Sequence, residues 1–383
     1  MKKVLFVATV FRFLNFEKSD MKLLQDLGFE VHTATNMHGE KWLQDDGSFE
    51  SLGLINHQID FDRTPFSIKS AKSYKQLKKL MDTHHFDIIH CHTPVAAAIA
   101  RIAALGTRKK GSYIIYTCHG FHFNKSSSKK SWLLYYPIEK ILAKATDMII
   151  TINKEDYGVI QKFNVPEKRY IHGVGVDVDH IISLKPDIAG VRKKLNIPAN
   201  AFVILTIGEL SDRKNQMVIL KALAKLQNDK LFYIMCGTGS KYDEYKKYVT
   251  DNGLNKQVLF TGQLSHEQVF NISKCVDIGA IPSKIEGLGL AGIEILAAGK
   301  PLIGSNVHGI KDYLIDNLTG ISFNPEDVDA ASDAIMRFYV DKKYYSLCSS
   351  NAMVVAQKFD INVSRLEMLQ IYKEVSLEVE DDE

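Results

Sequence analysis

Cysteine is scarce and unpatterned in this chain. The five cysteines, Cys91, Cys118, Cys236, Cys275 and Cys348, are odd in number and widely separated. No pair has the spacing of a zinc-ligand couple or a redox dithiol, which argues against a disulfide-stapled secreted scaffold and leaves reduced core thiols. Long apolar runs are missing too: none approaches the ~20 residues that span a bilayer. The N-terminal stretch MKKVLFVATVFRF is apolar, but Arg12 interrupts it and no small-residue cleavage site follows. It reads as a buried first strand rather than a signal peptide, and a cytoplasmic protein is expected. A strong excess of one charge is also lacking. The net charge is +3, too mild to argue for a nucleic-acid partner.

What is present is ordinary globular material, 45% hydrophobic and 24% charged over 383 residues, long enough for two domains with separate cores. The charge is uneven. Met1–Gly190 carries 26 Lys+Arg against 20 Asp+Glu, a net of +6, and the remainder carries 22 against 25, a net of −3. A basic first half suits a negatively charged partner or an anionic membrane surface.

Short β-branched runs alternate with segments of helical period, which argues for parallel sheets with crossover helices. Expected strands in the first half are Lys3–Val7, Glu30–Thr35, Asp87–His92, Tyr113–Cys118, Asp147–Ile152 and Arg169–His172. In the second half they are Phe202–Ile207, Phe232–Cys236, Val258–Phe260, Ile278–Ile281 and Pro301–Gly304. The pattern lapses between Gly175 and Pro198. The expected α/β architecture is therefore two doubly wound, Rossmann-like domains facing across a cleft, 1–183 and 184–365, with a helix at about 366–378 packing back on the first. Ligands in such sheets bind beyond the carboxyl ends of strands.

The segment Ile281–Pro301, IPSKIEGLGLAGIEILAAGKP, carries the most chemistry. A strand ends at Ile281, a glycine-containing loop covers Pro282–Gly289 with Ser283 near its start, and Leu290–Ala298 reads as a helix. Such a loop is a natural diphosphate site, because unpaired N–H groups and the helix dipole both favour anions. Glu286 is placed to accept hydrogen bonds from sugar hydroxyls. Glu294 lies among Leu290, Ala291, Ile293, Ile295 and Leu296, and a carboxylate in so apolar a run needs a partner.

The E-x7-E pattern of Glu286 and Glu294, with Gly287 after the first and GLAxxE before the second, resembles the donor motif of family 4 retaining glycosyltransferases, which have the GT-B fold. The resemblance implies that Glu286 contacts a donor sugar, Glu294 holds a nucleotide ribose, and Gly287, Leu288, Gly289 and Leu290 present backbone N–H groups to diphosphate and sugar. A second match is Ile207–Gln216, IGELSDRKNQ, with Gly208 at the strand end and Lys214 at the diphosphate-binding lysine. Glu209 stands where the family often has arginine, and Arg213 is the substitute. The third match is Tyr116–Phe123, YTCHGFHF, which implies that His119 reaches the donor sugar. Arg12, Asn15 and His122 are acceptor-side candidates.

DIIHCHTP at Asp87–Pro94, GVGVD at Gly173–Asp177 and VLFTG at Val258–Gly262 agree with the family as well. WLLYYPIEK and ITINKED within Trp132–Asp156 are similar to the branch that builds capsule and exopolysaccharide units on polyprenyl-diphosphate carriers. The loop TVFRFLNFE after the first strand departs from the family's Gly-Gly pattern and offers a bulky aromatic surface.

The implied reaction is retaining transfer of a hexose or N-acetylhexosamine from a UDP-sugar to a lipid-linked saccharide, with no separate carboxylate base beside His119. No cofactor or metal is expected. The three D-x-D sequences, Asp60–Asp62, Asp177–Asp179 and Asp327–Asp329, follow no strand in a suitable context. Lysines 69, 72, 75, 78 and 79 recur at helical spacing and, with Arg108–Lys110 and Lys125–Lys130, suggest contact with anionic lipid. A UDP-sugar epimerase of the same architecture, or a sugar-nucleotide-binding protein without turnover, are the rival readings.

Overall fold

The computed structural model describes residues 1–38, 49, 52–64 and 68–381. They form two compact units, Met1–Val174 with Asn362–Glu383, and Gly175–Ile361. The first unit thus ends ahead of the expected break at 183/184. The reason is local: Val176 bridges to Asp360, and Gly175 packs so closely on Ile361 that a Cβ there would lie 2.5 Å from the Ile361 Cα. The helix Val178–Ser183 therefore belongs to the second unit.

Unit 1 is built on a seven-stranded parallel sheet of order β3-β2-β1-β4-β5-β6-β7. The strands are β1 Lys3–Val10, β2 Glu30–Asn36, β3 Ile55–Gln58, β4 Ile88–Cys91, β5 Tyr113–Cys118, β6 Met148–Thr151 and β7 Glu167–Tyr170. Unit 2 repeats the plan with six strands in the order β10-β9-β8-β11-β12-β13. These are β8 Phe202–Ile207, β9 Leu231–Cys236, β10 Val258–Gly262, β11 Ile278–Ile281, β12 Leu302–Ser305 and β13 Gly320–Phe323. Central strands such as IIHC, MIIT and IGAI are buried at every position. That is why they read as continuous apolar runs: helices cover both faces of a parallel sheet.

An aspartate fixes the start of three strand pairs. Asp87 Oδ2 accepts from Lys3 N at 2.5 Å, Asp147 Oδ2 from Ile114 N at 2.8 Å, and Asp277 Oδ2 from Val203 N at 2.7 Å. Each satisfies an amide at the amino edge of the sheet, so register is set at the end away from the chemistry.

Connections run outward from β1 to β2 and β3, then return to β4 on the other side; in unit 2 they run from β8 to β9 and β10, then return to β11. Each sheet thus has a point where strand order reverses, β1/β4 and β8/β11, and crevices open there at the carboxyl ends.

The helix Ile361–Asp381 completes unit 1. Tyr372 OH donates to Asp20 Oδ2 at 2.9 Å and lies 3.0 Å from His90 Nδ1, while His90 Nε2 lies 2.8 Å from Thr117 Oγ1. Burial pushes the His90 pKa down to about 3 and so keeps the ring neutral; Nδ1–H then donates to the Tyr372 oxygen and Nε2 accepts from Thr117.

Candidate active site

The expected donor residues converge at the β8/β11 reversal of unit 2. The loop after β8 supplies Gly208, Arg213 and Lys214; the loop after β11 supplies Ser283 and Glu286. The loops are tied by Lys284 N donating to Arg213 O at 2.8 Å, and by Asn215 Nδ2 donating to Pro282 O at 3.0 Å. Glu286 Oε2 accepts from Lys214 Nζ at 2.5 Å, from Ser283 Oγ at 3.2 Å and from Arg213 Nη1 at 3.3 Å. Burial alone would raise the Glu286 pKa, but the Lys214 and Arg213 charges outweigh it and hold the carboxyl below its ordinary range.

Backbone approach in this region demands glycine. At Gly237 a Cβ would lie 2.1 Å from Gly208 O, so the turns after β8 and β9 pack backbone on backbone. Gly289, at φ 83°, begins the helix Leu290–Ala297 with no side-chain cap; a Cβ there would press on Glu286 Cγ at 2.8 Å and Tyr313 OH at 2.9 Å. The first-turn amides therefore start beside Glu286, and Leu288 is buried beneath them.

Glu294 lies on that helix. Among the described residues it has no side-chain hydrogen-bond partner; burial raises its pKa to about 7, against the pull of the Lys214 charge. The partner that its apolar neighbourhood calls for is not supplied by the described residues.

Unit 1 gathers a second group at the β1/β4 reversal. The loop expected after β1 is a 3-10 turn, Phe11–Glu17. It buries Phe11 and Leu14 in the core, sets Phe13 edge-on against His119 at 5.0 Å, and leaves Phe16 exposed. Arg12 and Asn15 are half-buried on the same turn. Glu17, which the sequence reading passed over, is buried with its Oε1 3.3 Å from His119 Nε2 and 3.5 Å from His92 Nδ1. His92 Nδ1 and His119 Nε2 are 3.2 Å apart. The expectation of no carboxylate beside His119 is therefore corrected. The only sequence signal was an acid ending an aromatic run, FRFLNFE.

Burial pushes Glu17 well above the usual carboxylate range, His119 down to about 4 and His92 well below the usual imidazole range. Burial thus favours the neutral form of all three; His92 and His119 are within hydrogen-bonding distance, and Glu17 Oε1 has no hydrogen-bond partner among the described residues. Among the described residues this is also where three atoms able to ligate a metal come together.

The His119 loop is braced from the helix that follows β6, Lys154–Ile160. Asp156 Oδ2 accepts from Phe121 N at 3.1 Å, and Glu155 Oε1 from Lys125 N at 2.8 Å. That is what the ITINKED segment does. His122 points elsewhere: it is exposed, its ring 5.3 Å from that of Tyr135. Of the three D-x-D sequences, Asp177 and Asp327 cap helices, and Asp60 is held by Lys72 at 2.7 Å.

Residues 21–180 match the family model described as Glycosyltransferase Family 4, and residues 187–354 the one described as Glycosyl transferases group 1. EpsD of Bacillus subtilis (strain 168), which carries a glycosyltransferase name, is 32% identical over 377 residues, 97% of this chain and 96% of that protein. The chain is a family 4 glycosyltransferase. A second relative of this glycosyltransferase is the Escherichia coli UDP-Gal:alpha-D-GlcNAc-diphosphoundecaprenol alpha-1,3-galactosyltransferase, 30% identical over 294 residues, 74% of each chain. Its fold is GT-B. Anabaena Alr3699/HepE, solved in complex with UDP and glucose, superposes with a TM-score of 0.78 at 19% identity, covering 98% of this chain and all of that one.

Proposed function

We propose that this glycosyltransferase moves a hexose or N-acetylhexosamine, with retention, from a UDP-sugar to a polyprenyl-diphosphate-linked saccharide in capsule, exopolysaccharide or other cell-surface glycan synthesis. The observation that carries the donor reading is Glu286, a carboxylate held by Lys214, Arg213 and Ser283 beside the uncapped Gly289 helix start. Cations and amides at one point suit a diphosphate, and a carboxylate beside them suits sugar hydroxyls. The named E. coli relative acts on a diphosphoundecaprenol-linked acceptor, and the Anabaena protein binds UDP and glucose. Both support the finer reading.

In this reading Lys214, Arg213 and the helix start stabilise charge developing on the leaving diphosphate. Glu286 orients the sugar, and Glu294 accepts from the ribose hydroxyls. Attack from the leaving-group face lets the departing phosphate oxygen take the acceptor's proton, which gives retention. His119, neutral at pH 7, orients the sugar by hydrogen bonding, with Glu17 and His92 fixing its ring. No metal is required. The acceptor belongs to unit 1, on Arg12, Asn15 and the aromatic turn, and the carrier lipid brings the enzyme to an anionic membrane surface on the cytoplasmic side.

The test is thermal stability with UDP, GDP or ADP, followed by product analysis with UDP-sugars and a lipid-linked acceptor. Ligand at ~100 times its dissociation constant adds about 2.7 kcal/mol. A shift with UDP, lost in Lys214→Ala, and a glycosylated lipid product support the reading. A new UDP-sugar epimer without acceptor would replace transfer with epimerisation, and no shift with any nucleotide would remove the donor site.

A further inference from the structure

The lysine-rich helix Ile68–Thr83 has the charge for a membrane but not the surface. Lys72 is paired to Asp60 and Lys78 to Asp82; Leu77 is buried and Leu80 packs on the core. Ile68 and Lys69 have no described side chains. A group of exposed apolar residues of unit 1, Leu133, Leu134 and Ile141, lies instead on the helix Lys129–Leu142, KKSWLLYYPIEKIL.

Its inner face is fixed. Trp132 and Tyr136 pack on Phe123, Trp132 Nε1 donates to Asn124 O at 2.9 Å, and Glu139 pairs with buried Arg101 at 2.8 Å. With that face inward, Leu133, Leu134, Pro137, Lys140 and Ile141 fall on the opposite face at helical spacing, and Lys144 follows one turn on. Leu133 is 80% exposed, Ile141 67% and Leu134 43%. Two leucines and an isoleucine turned to solvent on a well-anchored helix are unusual enough to need a partner.

The surrounding charge says which partner. Between Arg101 and Ile150 the chain has nine Lys and Arg against two acids, Glu139 and Asp147. Both acids are taken by arginines, Glu139 by Arg101 and Asp147 by Arg108. The other seven basic residues are exposed lysines, Lys129, Lys130, Lys140 and Lys144 among them, and none lies in an ion pair among the described residues. Arg108 Nη1 also donates to Lys144 O at 3.0 Å, which brings exposed Leu105 and Lys109–Lys110 to the same end of the helix.

We propose that this face of the Lys129–Leu142 helix docks on an anionic lipid bilayer. Leu133, Leu134 and Ile141 enter the headgroup boundary, and the lysines, long enough to keep their ammonium groups in the headgroup layer, pair with lipid phosphates. A protein partner would have to match an apolar stripe with an unbroken acidic rim, whereas an anionic bilayer offers both along its whole surface. The purpose, bringing the enzyme to a lipid-linked acceptor, rests on the function proposed above; the docking itself does not.

The experiment uses the full chain and sedimentation with phosphatidylcholine vesicles, with and without phosphatidylglycerol. The protein is expected to bind only the phosphatidylglycerol vesicles, and less at higher salt. Leu133→Ser with Ile141→Ser should lower the partition at least about tenfold, and each of Lys129→Ser and Lys140→Ser about fivefold. The thermal midpoint, and transfer to detergent-dispersed acceptor, should stay unchanged. Lys75→Ser with Lys79→Ser, on the other basic helix, should leave binding intact. The proposal is overturned if the Leu133/Ile141 variant binds like the unmodified protein, or if light scattering shows that the two substitutions split a dimer while no vesicle is bound. Vesicle binding that persists with an inactive acceptor assay supports the docking face and counts against the acceptor reading.

Discussion

Lys214 Nζ and Glu286 Oε2 are 2.5 Å apart, with side chains only 15% and 12% exposed. Neither charge is well solvated, and Arg213, 47% exposed, is the second cation on the same oxygen. Lys214→Ala leaves a buried carboxylate with only Ser283 and the half-exposed Arg213, so unfolding free energy should fall by up to about 3 kcal/mol, and UDP should no longer shift the midpoint. Lys214→Met with Glu286→Gln should fold more stably than Lys214→Ala. The Glu286 pKa is depressed, so its contribution is present above the unfolded carboxylate value of ~4.3 and is lost as pH falls through the lower folded value. Urea melts across acidic pH check both points.

Glu294 works in the opposite sense. Its folded pKa, about 7, is above the unfolded value. The native state is therefore penalised progressively as pH rises from ~4.3 towards 7. Glu294→Gln should stabilise the nucleotide-free enzyme at pH 8, on the order of 2 kcal/mol, while weakening UDP binding. If ribose hydroxyls favour the carboxylate, UDP binding below pH 7 should release a proton, visible as buffer-dependent heat in calorimetry and absent in the variant.

His119 and Glu17 predict a pH profile. Burial keeps the imidazole neutral from about pH 4 upward, so turnover should show no titration of His119 between pH 6 and 8. His119→Ala should lower kcat by about 100-fold. Glu17→Gln keeps the shape and a hydrogen-bonding group, and should lower kcat by about tenfold or less, with little change in the KM for donor. An equal loss in both variants would make Glu17 a participant rather than a support.

The Glu17, His92 and His119 atoms are where a metal dependence would originate. Full transfer in excess chelator is the expected outcome. Activity lost to chelator and restored by Mn²⁺, in the enzyme but not in Glu17→Gln, would show a metal held there.

Tyr372 tests the return of the C-terminal helix. Tyr372→Phe removes one hydroxyl from between Asp20 and His90 and takes that partner from Asp20 Oδ2 and His90 Nδ1 in the core. About 1–3 kcal/mol of stability should be lost, with UDP binding by unit 2 unaffected.

Most of the sheet architecture was legible because parallel, doubly covered strands such as Tyr113–Cys118 and Phe202–Ile207 are continuous apolar runs. The missed strands are edge strands. INHQ at β3 has three polar residues of four, and GISF at β13 is short and follows a turn. Their pairing comes from a neighbour already in place rather than from their own pattern. Glu286 and Glu294 were legible because loop, glycine and helix are contiguous in sequence, and Lys214 because its own short motif follows a strand, IGELSDRKNQ. Glu17, His92 and His119 come from three separate strand ends, and only the β1/β4 reversal brings them together. The exposed face of Lys129–Leu142 was hidden for a different reason: its leucines and aromatics look alike in sequence, and only packing decides which side is buried.

The hydrogen bond between His90 and Tyr372 joins residues 282 positions apart, and this has a consequence for synthesis. Residues 175–361, which make up unit 2 without interruption, leave the ribosome as a complete folding unit. Unit 1 does not: its sheet emerges first, but Asp20 and His90 must wait for a tyrosine made after all of unit 2. A message truncated just before codon 362 would still encode all of unit 2, yet it would release a first unit with an open seam.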